Sequence, residues 1–109
     1  MAYDEGLAHR LGESLSGLPG IDAKKMFGGI AFLWHGNMLV GVMGDDLMAR
    51  VGPEAQEDAL SQPGARVFDF TGRPMKGWVL VSGEAVAEDE ALEDWIGRCR
   101  EFVEELPAK

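Results

Sequence analysis

Both ends of the chain carry apolar residues at helical spacing. Leu7, Leu11 and Leu15 recur every four residues, which predicts one apolar face on a helix over about residues 4–16, with Asp4 suited to cap it. The C-terminal segment has the longer pattern, and we predict a helix capped by Asp89. Its apolar positions lie three or four residues apart: Leu92, Trp95, Ile96, Cys99, Phe102, Val103 and Leu106.

Between these helices, short apolar runs alternate with turn residues, as in a sheet built from hairpins. Pro53 follows Gly52 and is predicted to open one short helix over about residues 53–61, because a missing N–H costs nothing at the first helical position. The connections are too short for parallel crossovers, so we expect antiparallel pairing. The predicted strands cover residues 24–27, 30–34, 38–43, 47–51, 66–70 and 76–81.

This order of elements predicts a two-layer α+β fold. We expect an antiparallel sheet of five to six strands with the helices packed on one face, in the order α-β-β-β-β-α-β-β-α. The chain has 109 residues, of which 46% are hydrophobic and 27% charged, typical of a globular protein. No linker or repeat interrupts the pattern, so residues 1–109 are interpreted as a single domain.

The charge balance and the single cysteine narrow the classes of function. The net charge is −9, with acidic ends and a balanced centre, so direct nucleic-acid binding is not expected. Cys99 is the only cysteine, which favours a reducing compartment. No run approaches the ~20 apolar residues of a membrane span, and the acidic N-terminus does not resemble a secretory signal. We therefore predict a cytoplasmic protein without membrane contact.

No set of residues predicts catalysis, a metal site or a cofactor. Cys99 falls on the apolar stripe of the last helix, where a buried thiol is inert. His9 and His35 have no partner at metal-ligand spacing, and Asp45 with Asp46 fall short of a calcium loop. We interpret both histidines as surface residues and expect the protein not to be an enzyme.

Two strings in the sequence are more specific than these patterns. KKMFGG spans residues 24–29 and GRPMKGW spans residues 72–78, and with the intervening Gly36-Asn37-Met38 they resemble the N-terminal domain of the TfoX/Sxy family of competence regulators. The resemblance implies a two-layer fold with an antiparallel sheet, similar to the secretion-chaperone architecture, and a link to transcriptional regulation of DNA uptake. Full-length regulators carry a second, C-terminal domain, and this chain stops at Lys109.

The same strings hold the candidate binding residues, because they concentrate basic, aromatic and methionine side chains in an acidic chain. We hypothesise that they lie close together and bind a protein or a small anionic ligand. The alternative is structural: aromatic rings in the core, glycines required by the backbone, and solvated lysines. The candidates are Lys24, Lys25, Phe27, Gly28, Gly29, Arg73, Met75, Lys76 and Trp78.

Two functions follow from this hypothesis. The favoured one is a non-enzymatic regulatory or protein-interaction domain. A flat sheet face or an exposed edge strand in the structure would support it. The alternative is a small-anion-binding domain, which a pocket containing Arg73 or Lys76 would favour. We also predict a homodimer, because the short strands 38–43 and 47–51 offer sheet edges to a second copy.

Overall fold

Six antiparallel strands form one open sheet in the order β1-β2-β3-β4-β6-β5. A computed structural model describes residues 3–26, 28–70 and 73–107, apart from the side chains of Met26, Phe70, Arg73 and Pro74. The predicted fold class and order of elements are confirmed. The elements are α1 (Glu5–Leu15), β1 (Ile21–Met26), β2 (Gly29–Trp34), β3 (Asn37–Met43), β4 (Asp46–Arg50), α2 (Gln56–Leu60), β5 (Ala65–Phe70), β6 (Arg73–Val81), a short 3-10 helix (Gly83–Val86) and α3 (Asp89–Val103).

The helices cover one face of this sheet with the main hydrophobic core. Leu11 of α1 and Cys99 of α3 are fully buried, and Trp95 and Ile96 are only 4% and 3% exposed. They pack with strand residues such as Val42 in a single cluster. Burial raises the pKa of the Cys99 thiol to about 12, so the thiol is neutral and packs as an apolar group.

The ends of two helices differ from the prediction. Asp89 is the first residue of α3, not its cap. Glu88 holds the cap position without a side-chain hydrogen bond, and the Asp89 carboxylate instead accepts from Arg10 at 3.1 Å. Helix α2 begins at Gln56, three residues later than predicted, because the residues after Pro53 form a turn. The predicted cap of α1 is confirmed, since Asp4 Oδ1 accepts from the N–H of Leu7 at 3.2 Å.

The sheet edges also differ from the prediction. The strands predicted as edges, β3 and β4, are the two central ones, because β6 pairs with β4 and β2 pairs with β3. The edges are β1 and β5. Asn37, which lies between the two strings, begins β3 and is 3% exposed, and it donates through Nδ2 to the carbonyl of Pro107 at 2.9 Å.

Candidate functional site: the open face of the sheet

The sheet face turned away from the helices carries a second, smaller apolar cluster. Alternation along β3 and β4 turns Val42 and Leu47 toward the helices and Met43 and Met48 toward the other side. Every buried side chain of the described helices belongs to the main core. We call this second surface the open face. Its core is Met48, Phe68 and Trp78, with half-buried Met38, Met43, Met75 and Leu80 around them.

A pocket of about 220 Å³ lies within the open face. Its aromatic wall is Trp78, 8% exposed, whose ring stands edge-on to Phe68 with 6.0 Å between the ring centroids. We call it the Arg50 pocket, after the charged residue in its lining. The lining residues are Gly36, Met38, Met48, Arg50, Phe68, Met75 and Trp78.

Arg50 reaches this pocket from the end of β4. Its guanidinium carbon lies 6.0 Å from the centroid of the Trp78 ring and 5.5 Å from that of Phe102, within cation–π range of both. Its Nη1 donates to the carbonyl of Met38 at 3.2 Å. Burial lowers the pKa of Arg50 from its ordinary value. Other arginines, Arg10, Arg66 and Arg98, pair with carboxylates, whereas Arg50 has no such partner in the part of the chain that the structure describes.

The Gln56 side chain fixes the strand that carries Trp78. Its Oε1 accepts from the N–H of Gly77 at 3.0 Å, and its Nε2 donates to the carbonyl of Trp78 at 3.2 Å. Gly77 has φ +88°, and its carbonyl accepts from the N–H groups of Val51 and Gly52. The glycine before the tryptophan in GRPMKGW is thus a backbone requirement, and Gln56 ties this irregular segment to α2.

We expect Gln56→Ala to lower the free energy of unfolding by about 1–3 kcal/mol, because the N–H of Gly77 and the carbonyl of Trp78 both lose their partner in a partly buried place. Urea unfolding measures the difference. Gln62→Ala is the matched control, since the described hydrogen bond of the Gln62 side chain is a long, local one of 3.5 Å to the carbonyl of Asp58, and the substitution should change the value by less than about 0.5 kcal/mol. Equal effects of the two substitutions would contradict the role given to Gln56.

The structure separates the two strings that were predicted to meet. Lys24 and Lys25 are exposed on β1, while exposed Lys76 lies on β6 with Met75 and Trp78. Three strands stand between β1 and β6, which amounts to about 19 Å across the sheet. The sheet therefore does not set Lys24 beside Lys76. Phe27 lies outside the described residues, as does the side chain of Arg73.

The glycine pair of KKMFGG divides into two different positions. A Cβ on Gly29 would stand 2.1 Å from the carbonyl oxygen of Val42, so this glycine permits a close approach of β2 to β3. Gly28 is exposed, has φ +75°, and a Cβ there would meet nothing within 4 Å. Gly29 is required by packing, and Gly28 only by the conformation of the turn.

The histidines and the acidic turn do not converge. His9 and His35 are exposed, and Asp46 pairs with Arg66. No group of three potential metal ligands occurs among residues 3–26, 28–70 and 73–107. Within those same residues no helix has the length and apolar character that crossing a membrane requires.

Sequence reasoning missed Arg50 and Gln56, the two polar residues that shape the pocket. Arg50 did offer a signal, since an arginine between Ala49 and Val51 interrupts an apolar strand. Gln56 offered none, because its partners lie about twenty residues away along the chain.

Comparison with known proteins confirms the family resemblance that KKMFGG and GRPMKGW indicated. The family model described as the TfoX N-terminal domain matches residues 13–103, from within α1 to the end of α3. Searches of curated proteins and of solved structures found no match. The match covers most of the chain, including β4, β6 and the residues of the open face. This chain belongs to the TfoX N-terminal domain family.

Proposed function

We propose that this chain is a non-enzymatic regulatory domain that acts by binding another protein through the open face of its sheet. The observation that carries the proposal is the cluster of methionines around Met48, Phe68 and Trp78, on the side opposite to the helices. The family likeness to competence regulators supports a role in transcriptional regulation, and we place that role in a cytoplasmic, bacterial setting.

The chemistry of the open face suits a protein partner. Methionine side chains are flexible and polarisable, so a surface that presents several of them adapts to apolar side chains of varied shape. Tryptophan is likewise enriched at the centre of interfaces. Met38, Met43, Met75 and Leu80 are only half-buried in the isolated chain, which leaves apolar area for a partner to cover.

The distribution of charge also favours the open face over the helical side. The exposed surface of α3 is strongly acidic, with Glu90, Glu93 and Glu101 among its residues, whereas the open face presents Arg50, which no carboxylate of the described residues pairs with. A partner that is neutral or weakly acidic would approach the open face with less repulsion. The same acidity argues against a nucleic-acid partner.

Capture of the partner by variants of the purified chain tests this proposal. We expect Met43→Glu to abolish capture, because it places a charge at the rim of the open face. Val67→Glu is the matched control: Val67 is 43% exposed, lies on edge strand β5, and pairs with Val79, whose side chain belongs to the helical core. The captured protein is then purified and its binding to each variant is measured by calorimetry.

Equal affinity of the purified partner for the wild type, Met43→Glu and Val67→Glu would contradict the use of the open face. Loss of binding in Val67→Glu alone would point to the β5 edge instead. Circular dichroism of each variant confirms that the comparison is made between folded proteins.

The alternative function, binding of a small anion by the two strings, has less support. The residues that line the Arg50 pocket do not include Lys76. A second pocket of about 360 Å³ lies between residues 51–55 and α3, where Arg98 is accompanied by the carboxylates of Glu54, Glu101 and Glu105. The negative charges of these three carboxylates disfavour the binding of an anion in the second pocket.

A further inference from the structure

We infer that the Arg50 pocket binds a small organic acid with an apolar body, whose carboxylate rests on the Arg50 guanidinium while its body lies against the Trp78 ring and the surrounding methionines. This site goes beyond the proposed docking of a protein. The cation of this site is Arg50, which belongs to neither KKMFGG nor GRPMKGW.

The first support is that the Arg50 guanidinium, which lies beside the rings of Trp78 and Phe102, has no carboxylate partner among the described residues. A guanidinium offers five N–H donors, and the described contacts of Arg50 account for one of them, to the carbonyl of Met38. A partly buried cation is costly without an anion nearby. The chain has nineteen acidic residues, yet none of the described ones pairs with Arg50. A carboxylate from outside would supply the missing partner and accept two parallel hydrogen bonds.

The second support is the apolar wall beside that charge. Met38, Met48 and Met75 line the pocket with Phe68 and Trp78, and the described lining contains no carboxylate. A ligand that places only a carboxylate on Arg50 would leave this wall exposed, whereas an aromatic or branched body would cover it. The combination of one cation and an apolar wall therefore selects for acids that carry such a body.

The third support is the size and rigidity of the pocket. Its volume of about 220 Å³ is below the ~300–1,000 Å³ of pockets for drug-sized ligands, which indicates an acid with a single ring or a short branched chain. Gln56 holds the backbone at Trp78, and Phe68 packs edge-on to its ring. The wall is therefore in place before a ligand arrives, which reduces the ordering cost of binding.

A titration of the full chain with phenylacetate and with phenylacetamide tests this inference, because the two compounds differ only in the charged group. We expect phenylacetate to shift the NMR signals of the Trp78 indole and of the Met48 and Met75 methyl groups. We expect the amide to bind at least about tenfold more weakly, since it loses the charge-assisted hydrogen bonds. Equal binding of the two compounds, or shifts confined to other residues, would overturn the inference, as would no binding of phenylacetate.

Two variants isolate the role of the guanidinium. Arg50→Met keeps an unbranched apolar side chain and should reduce the affinity for phenylacetate to that for the amide, while Arg66→Met removes an arginine of β5 and should leave the affinity unchanged. Arg50→Lys, which retains the charge without the planar fork, should bind phenylacetate more weakly than the wild type. Unchanged affinity in both folded Arg50 variants would overturn the inference.

A third ligand separates a free acid from the end of a partner chain. N-acetyl-glycyl-phenylalanine presents the same ring and a free carboxylate on a peptide. Weaker binding than phenylacetate supports a free small acid, because the pocket has little room for added backbone. Binding more than about tenfold tighter would overturn the assignment in favour of a protein C-terminus.

Discussion

Gly29→Ala is expected to destabilise the protein by about 3 kcal/mol or more, one of the largest effects of any single methyl group in the chain. The new Cβ would lie 2.1 Å from the carbonyl oxygen of Val42 and 3.2 Å from the Cα of Met43. Both are backbone atoms of β3, so no side chain can move aside, and the two strands would have to separate. Thermal and urea unfolding measure the loss.

Gly28→Ala is the matched control for this prediction. It adds the same methyl group to the adjacent residue, where nothing lies within 4 Å, and its cost is limited to about 1–2 kcal/mol for a side chain at φ +75°. If Gly28→Ala were as destabilising as Gly29→Ala, the close approach of β2 to β3 would not explain the glycine pair. If both variants kept full stability, both the positive φ of Gly28 and the close approach of β2 to β3 at Gly29 would be contradicted.

Trp95→Ala is expected to lower the free energy of unfolding by about 3–5 kcal/mol, a large fraction of the ~5–15 kcal/mol that is typical of a folded domain. The ring is 4% exposed and belongs to the core between α3 and the sheet, so its removal would leave a large cavity beneath the helix. Urea unfolding followed by circular dichroism measures the change.

Trp34→Ala provides the comparison with the same change of side chain. Trp34 is half-buried at the end of β2, where its Nε1 donates to the carbonyl of Pro19 at 3.0 Å and Arg100 lies over its ring. We expect a loss of about 1–2 kcal/mol, mainly the hydrogen bond and part of the apolar contact. A larger effect at Trp34 than at Trp95 would contradict the position of the main core.

The periodic parts of the sequence were sufficient to predict the fold. Leu7, Leu11 and Leu15 indicated the buried face of α1, and Trp95 and Ile96 that of α3, because apolar spacing directly reflects which side of a helix is covered. The neighbours of each strand were less predictable. The short turns indicate that β3 pairs with β2 in the sheet. The position of β6 between β4 and β5 depends instead on contacts between residues that are distant in the chain.

The candidate site was predictable only in part, for the same reason. Met75 and Trp78 were selected from GRPMKGW and lie at the Arg50 pocket, but their partners Met38, Met48 and Arg50 come from other strands. The basic residues of KKMFGG were linked to them by composition alone. Composition shows that residues are of one kind; it carries no information about strand order, which here separates Lys24 from Lys76.

The order of the sheet has a consequence for the kinetics of folding. Strands β1 to β4 are joined by local turns, whereas β4 and β6 pair Leu47 with Val81 across more than thirty residues, so closing that loop carries the larger entropic cost. We expect the four-stranded meander to form early and the β5–β6 hairpin to dock late. Weakening the hairpin would then accelerate unfolding while leaving the folding rate nearly unchanged.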